Sequence, residues 1–215
     1  MFIFIDLIKL TPDVTRRQTL KRDDQDYRLM LAICDLVIQR QMPTDQAGTH
    51  IQPKLDRDAL TLHSIYERFV ANFYRLQLKG WSVSAQTHLL WHETFSNNLL
   101  PVMCPDLMLE EKSSGRILIL DTKFTAKSII QNQWGKQEFD SPHLYQLYAY
   151  LKTQEHLSQS HRQAEGILLY PSISGNTLSQ KIQLQEMSIR IEGVDLSAVW
   201  QEIENQLLEI VKRKI

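Results

Sequence analysis

Two cysteines, Cys34 and Cys104, are all that 215 residues contain, too few for the disulfide framework of a small secreted protein. A reducing, cytoplasmic setting is therefore expected. Net charge is nearly absent as well: 24 lysines and arginines stand against 25 aspartates and glutamates, a formal charge of -1. That balance advertises no polyanion-binding surface, so any role on nucleic acid has to arise from local placement of charge. Long apolar runs are also missing. The N-terminal stretch MFIFIDLIKL is interrupted by Asp6 and Lys9 and falls well short of the roughly 20 residues that cross a bilayer. It has neither a positively charged start nor a small-residue cleavage site, so no membrane partner is expected. There is no internal repeat and no low-complexity segment.

What is present is an ordinary globular composition, 43% hydrophobic and 23% charged, in a length suited to one domain or one plus an appendage. Residues 1–26 read as an N-terminal strand and a polar linker, and 27–215 as one folded domain. RLMLAICDLVIQR, between Tyr27 and Arg40, suits a buried helix. Met42 to Asp56 reads as loop, punctuated by Pro43, Gly48 and Pro53. Leu62, Ile65, Tyr66, Phe69, Val70 and Phe73 then recur at helical spacing until Gly80 stops them, with Glu67 on the shoulder of the stripe. From Trp81 to Trp91 the period changes to two, as in a half-buried strand.

Ser96-Asn97-Asn98 marks a turn, and Leu99 to Leu109 reads as a second strand broken by Pro101 and Pro105. Ser113-Ser114-Gly115 connects it as a hairpin to ILILDTKF, apolar on both faces until Asp121 and so expected in the middle of a sheet covered on both sides. A loop containing Trp134-Gly135 leads to Ser141 and Pro142, an N-cap and a first-turn proline. Leu144, Leu147, Tyr148 and Leu151 continue that helix, with His143, Gln146 and Tyr150 on a second face. Gly166 to Tyr170 is a short apolar strand, reached by a right-handed parallel crossover. Thr177 to Leu184 and Met187 to Ile191 either extend the sheet or form a hairpin, and a helix from about Leu196 closes the chain. The expected class is α/β, a mixed central sheet flanked by helices in the order αβββαβ.

Asp121 and Lys123 lie two residues apart in the third strand, so both emerge on the face already occupied by Ile117 and Ile119. Charges following an apolar row are costly unless they pair, bind metal or meet water at the strand end. The hairpin brings Pro105-Asp106 into the neighbourhood, giving two carboxylates and a lysine. Phosphodiester hydrolysis needs those groups: carboxylates to hold Mg2+, and a cation to orient the attacking water and offset charge at phosphorus. A structural ion pair beside a Pro-Asp turn uses the same residues.

Pro105-Asp106 followed by Asp121-Thr122-Lys123, on a hairpin between a glutamate-bearing helix and a glutamine-bearing one, resembles the PD-(D/E)xK nuclease superfamily. CPDLML, LILDTKF and HLYQLYAY resemble the nuclease region of the McrC family, the cleavage subunits of 5-methylcytosine-dependent McrBC restriction systems. The likeness runs in order from about Tyr27 to Ser172. It implies a restriction-endonuclease-like core over 27–215 that cuts DNA as a defence component. Asp106 and Asp121 would be metal ligands, the Thr122 backbone carbonyl a further ligand, and Lys123 the catalytic lysine. Glu67 would reach the metal through water, Gln146 would position phosphate or water, and Tyr150 would share its face. The cofactor would be Mg2+, with Mn2+ as substitute, and the partners DNA and an McrB-like GTPase motor. Such relatives carry a substantial N-terminal region that engages the GTPase ring, whereas here a short segment precedes Tyr27. A stand-alone nuclease, a shortened product and a subunit that docks differently all remain open.

Two other functional classes fit the same residues: a DNA- or partner-binding subunit without catalysis, and a metal-dependent hydrolase of RNA or nucleotides. Cutting two strands favours paired active sites and hence a homodimer, although no interface is legible. His88 and His92 have no partners at zinc-ligand spacing, and Cys104 lacks the surroundings of a nucleophile. The tryptophans and tyrosines read as packing before base stacking. Arg116, Lys127 and Lys136 are equally phosphate contacts or solvated surface charges.

Overall fold

The computed structural model describes residues 53–92, 99–125, 129–131, 136–173 and 177–213. The expected N-terminal strand, polar linker and Tyr27–Arg40 helix lie outside the described residues, as do Cys34, the Ser96-Asn97-Asn98 turn, Lys127 and Trp134-Gly135.

ILILDT forms the centre on which everything else is laid. All six residues of that strand, β3 (Ile117–Thr122), are buried. Leu118 and Leu120 enter a core with Tyr66, Val70, Tyr74 and Leu207, while Ile117 and Ile119 enter a second core with Leu147, Tyr150 and Leu151. Each such leucine or isoleucine contributes roughly 1.5–3 kcal/mol by leaving water, which is why an unbroken apolar run occupies this position. The first core lies under α1 (Pro53–Gln77) and α4 (Trp200–Lys212), the second under α2 (Ser141–Gln154). No helix among the described residues is long and apolar enough to cross a membrane.

The sheet has six strands. β1 (Trp81–Ala85), β2 (Leu107–Glu111) and β3 form an antiparallel meander. β6 (Glu165–Ser172) pairs parallel with β3, and β8 (Met187–Asp195) parallel with β6. β7 (Ser179–Leu184) pairs antiparallel with β8, giving the order β1-β2-β3-β6-β8-β7. A short helix α3 (Gln159–Arg162) follows α2. Helix, three-strand meander, helix and parallel strand follow one another as the αβββαβ pattern requires, in the mixed α/β architecture of a restriction-endonuclease-like core.

Several boundaries differ from the sequence reading, each for a local reason. Pro53 opens α1 instead of sitting in a loop, because a proline's missing N–H is harmless in a first turn. β1 stops at Ala85, since Gln86 takes a left-handed φ of 52°, a conformation costing a non-glycine residue about 1–2 kcal/mol. The chain then changes sides: Trp81, Val83 and Ala85 pack on the first core, Leu89 and Trp91 on the second. β2 starts at Leu107, and before it only the Leu89–Met103 pair bridges, because Pro101 and Pro105 have no N–H to give a ladder.

The connection after β3 carries a small antiparallel ribbon, β4 (Ile129–Gln131) with β5 (Gln137–Phe139), where a plain loop was expected. Asp140, not Ser141, occupies the N-cap position of α2, and Pro142 lies in its first turn. The two later strands both extend the sheet and form a hairpin, turning at Gln185 with φ 54°. The final helix begins at Trp200 rather than Leu196, because Asp195 Oδ1 draws the Ser197 N–H (3.0 Å) and hydroxyl (2.6 Å) into a local turn.

Candidate active site

Three chain segments meet at the C-terminal end of β3. Gly115, at φ +71°, closes the β2–β3 hairpin, and the register that follows sets Leu107 opposite Leu120, so Asp106 arrives beside the end of the neighbouring strand. There its Oδ2 accepts from the Thr122 backbone N–H (2.7 Å) and the Thr122 hydroxyl (2.5 Å). Asp106 is 8% exposed and Asp121 3%. Lys123 follows the strand end, its backbone N–H held by Leu169 O of β6 at 2.9 Å. Its ammonium lies 2.6 Å from Asp121 Oδ2 and donates to Gln146 Oε1 at 2.7 Å. Asp106, Asp121, Lys123 and Gln146 are thus brought together.

From the other face α1 contributes Glu67 and, one turn earlier, His63, a spacing that puts both on one side of the helix. His63 Nε2 donates to the Thr122 carbonyl at 3.2 Å, because a carbonyl only accepts. That is the oxygen given a metal-ligand role by the family resemblance, and it retains a second lone pair. Glu67 accepts from the Gln86 side-chain amide. Tyr150 is also in place: Gln146 Nε2 donates to its hydroxyl at 2.8 Å, and that hydroxyl donates to Cys104 O at 3.4 Å.

The electrostatics are those of crowded acids. Burial, reinforced by Asp106, pushes the Asp121 carboxyl up to about 6 against the opposing pull of Lys123. Glu67 is raised by burial and by Asp106, while Gln86 and His63 work against the rise. The Tyr150 phenol is pushed up to about 12, by burial first and then by Asp121. Burial, Asp106 and Glu67 push the Cys104 thiol up, the wrong direction for a nucleophile.

Does this donor set suit a divalent cation? Asp121 Oδ2 is buried and, although close to the Lys123 ammonium, has no aligned hydrogen bond. Asp106 raises both Asp121 and Glu67, and among the described residues the Lys123 ammonium pairs with Asp121 alone, an excess of negative charge that a cation would relieve. Among the described residues no three His, Cys, Asp or Glu side chains converge tightly enough to hold an ion unaided. Mg2+ is habitually held by one or two carboxylates with water and substrate phosphate completing its octahedron, so the pair Asp106 and Asp121 fits it, with Glu67 at a further remove.

Comparison with known proteins adds to this geometry. Residues 1–171 match the McrBC 5-methylcytosine restriction system component family. The chain belongs to that family. It is also similar to the "Type IV methyl-directed restriction enzyme EcoKMcrBC" of Escherichia coli (strain K12), with 26% identity over 210 residues. That alignment covers 96% of this chain and 58% of the relative, so this McrBC-family chain spans little more than half of the protein it matches.

Two site residues escaped the sequence reading, His63 and Gln86. His63 was within reach, since it lies one helical turn before Glu67. Gln86 gave no signal, because nothing in a glutamine's identity announces a left-handed backbone. Arg116 needs the opposite correction. It is not a spare phosphate contact: it binds Glu165 through Nε (2.8 Å) and Nη2 (3.1 Å) and caps the end of α4 through Val211 O (2.9 Å) and Arg213 O (2.7 Å). His92 stacks on His156 with ring centroids 3.9 Å apart.

Proposed function

We propose that this McrBC-family chain is an McrC-like nuclease core of the PD-(D/E)xK type, which hydrolyses phosphodiester bonds in DNA with Mg2+ as cofactor and Mn2+ as substitute. One observation carries the reading: Asp106 and Asp121 are both buried at one strand end, Asp106 fastened to Thr122 and acting on Asp121, with an excess of carboxylate over the single ammonium of Lys123. A purely structural ion pair has no use for the second and third acid.

In this reading Asp106 and Asp121 hold Mg2+, and the Thr122 carbonyl is the candidate third protein oxygen. Once bound, Mg2+ polarises the scissile phosphate and lowers the pKa of the attacking water. The protein's own groups do the rest. The Thr122 N–H and hydroxyl hold the Asp106 carboxylate against rotation, which leaves its geometry prepared before the ion arrives. Lys123, tethered between Asp121 and Gln146, directs its remaining donor to the water and offsets the negative charge growing on phosphorus. Water attacks phosphorus in line and releases its proton to solvent, the bond to the leaving oxygen breaks, and a proton from solvent completes the alcohol. Gln146, exposed at the helix surface, is placed to meet a phosphate oxygen or water.

DNA as substrate, dependence on a methylated base and coupling to an McrB-like GTPase are proposals that rest on the family and on its methyl-directed relative. Incubating the purified chain with supercoiled plasmid and Mg2+, with and without an McrB-like subunit, tests the reading. Nicking or linearisation that EDTA stops and Asp121→Ala abolishes is the expected result. Absence of cutting under every condition, including with the motor, would replace the nuclease by a binding subunit. Duplex DNA, single-stranded DNA and RNA compared side by side identify the substrate.

A further inference from the structure

Every hydrogen bond linking Lys123 to Glu67 around the site runs in the same direction. Lys123 Nζ donates to Gln146 Oε1 (2.7 Å), Gln146 Nε2 to the Tyr150 hydroxyl (2.8 Å), and that hydroxyl to Cys104 O (3.4 Å). The Cys104 thiol then donates to Gln86 Oε1 (3.2 Å), and Gln86 Nε2 to Glu67 Oε1. The belt thus begins on a cation and ends on a carboxylate, in two runs that meet at Cys104 through different groups, its carbonyl ending the first and its thiol starting the second. Each end fixes its own run: an ammonium can only donate, and a carboxylate only accept.

We propose that Gln86 is the positioning residue that closes this belt and holds the two acids from separate elements, Glu67 of α1 and Asp106 of the β2 approach, in register for a divalent cation. The proposal rests on the nuclease reading for its purpose but on its own contacts for its substance. Gln86 touches the Asp106 segment twice and Glu67 once. Its backbone N–H donates to Asp106 O at 3.0 Å, and its side chain joins Glu67 to Cys104, two residues before Asp106. Both reaches from one residue require the left-handed φ of 52°, which also swings the chain from one core to the other. A surface-exposed residue has no local reason to adopt that conformation, for which glycine is better suited. The side-chain bonds account for glutamine at this position.

The test exploits that mismatch in the full chain, with Cys34→Ser as background so that Cys104 is the single thiol. Gln86→Gly accepts a positive φ without strain and removes the side chain. Gln86→Asn tolerates the same φ but is one methylene too short to span from Cys104 to Glu67. Three readouts are taken: thermal unfolding, the rate at which a disulfide reagent modifies Cys104, and the affinity for Mn2+ alone, followed by its paramagnetic resonance signal. The expected result is an unfolding midpoint at or above the parent for Gln86→Gly, a several-fold faster Cys104 reaction in both variants, and Mn2+ binding weakened about tenfold, the usual effect of removing a group that orients a metal ligand.

Parental Mn2+ affinity in both variants overturns the proposal, whether or not the thiol becomes more reactive; with a faster thiol, Gln86 is a structural brace alone. A midpoint that collapses in Gln86→Gly also overturns it, since the side chain is then needed for folding. Asp121→Ala separates the proposal from the reading beneath it. If that variant binds Mn2+ as the parent does, the metal site is misplaced and the nuclease reading fails together with the metal role given to Gln86; weakened binding in Asp121→Ala beside parental binding in the Gln86 variants overturns the Gln86 proposal alone.

Discussion

Strand β3 ends in two charged clusters of opposite character. At its start, three guanidiniums, Arg116, Arg190 and Arg213, meet two carboxylates, Glu165 and Glu192. Arg190 and Glu192 are each 2% exposed, and Arg116 adds two main-chain carbonyls of the α4 terminus to its partners. At its finish, one ammonium pairs with Asp121 while Asp106 and Glu67 lie close by, and one buried Asp121 oxygen lacks an aligned hydrogen bond. The first cluster ties β3, β6, β8 and α4 together; the second joins elements while leaving unspent negative charge. Both bury ions at a cost, and both leave buried atoms without an aligned hydrogen bond, Arg190 Nε and Nη2 at the start and Asp121 Oδ2 at the finish; what differs is the sign of the excess charge. The sign of the excess, more than burial, is what suits the second cluster and not the first to a cation.

The largest expected effect separates the clusters outright. Asp121→Ala or Lys123→Ala should lower the plasmid-cutting rate by at least about a thousandfold while thermal unfolding shows a folded chain. Undiminished cutting by both would end the assignment. At the other pole, Arg116→Ala should destabilise by about 3 kcal/mol, since among the described residues it leaves Glu165 with Arg190 alone, 3.6 Å away, and uncaps α4. This would be read as a midpoint lowered by about 2–4 °C per kcal/mol in a chain of this size. Cutting per folded molecule at low temperature should stay close to that of the parent. Loss of activity without loss of stability would show that the network serves the chemistry after all.

Gly166→Ala probes the packing between the two. A methyl group there would sit 2.8 Å from Leu147 Cδ2 and 2.9 Å from Leu151 Cδ1, so α2 has to lift from β6 at a cost of about 1–3 kcal/mol. Because α2 also carries Gln146, cutting should fall together with the unfolding midpoint. Urea titration with a parallel cleavage assay checks the pair.

The smallest effect concerns pH. With its carboxyl near 6 in the folded chain and near 4 when unfolded, Asp121 binds its proton more tightly in the native state. The metal-free protein should therefore be most stable, with respect to this group, below about pH 4 and lose on the order of 2 kcal/mol as pH rises to about 6. Asp121→Asn should flatten that slope. A bound divalent cation prefers the ionised carboxylate, so stabilisation by Mn2+ should grow over the same interval. Unfolding scans from pH 4 to 7 with and without the ion measure both trends.

Legibility followed physical uniqueness. ILILDT could only be a central strand, because apolar residues on both faces suit no exposed position, and a hairpin glycine next to it determined which acid would arrive beside Asp121. The helix stripe from Leu62 to Phe73 was equally unambiguous. Illegible were features whose cause lies elsewhere in the chain. SIRIE in β8 looks like a half-exposed strand, yet Arg190 and Glu192 are buried because Glu165 and Arg213 come to meet them. Gln86 ends β1 for the sake of Cys104, Asp106 and Glu67. Arg116 was read as available because its acceptors lie 49, 95 and 97 residues away.

The parallel pairing of β3 with β6 also imposes an order of events. Asp106, Asp121 and their hairpin are close in sequence, but the Lys123 backbone is held by Leu169, and the helix bearing Gln146 lies between those two strands. Contacts that span so many residues close late. A growing chain can thus bring Asp106 and Asp121 toward each other early, yet it cannot align Lys123 until β6 has paired, so the competence proposed for this site waits on the parallel strand and not on the hairpin.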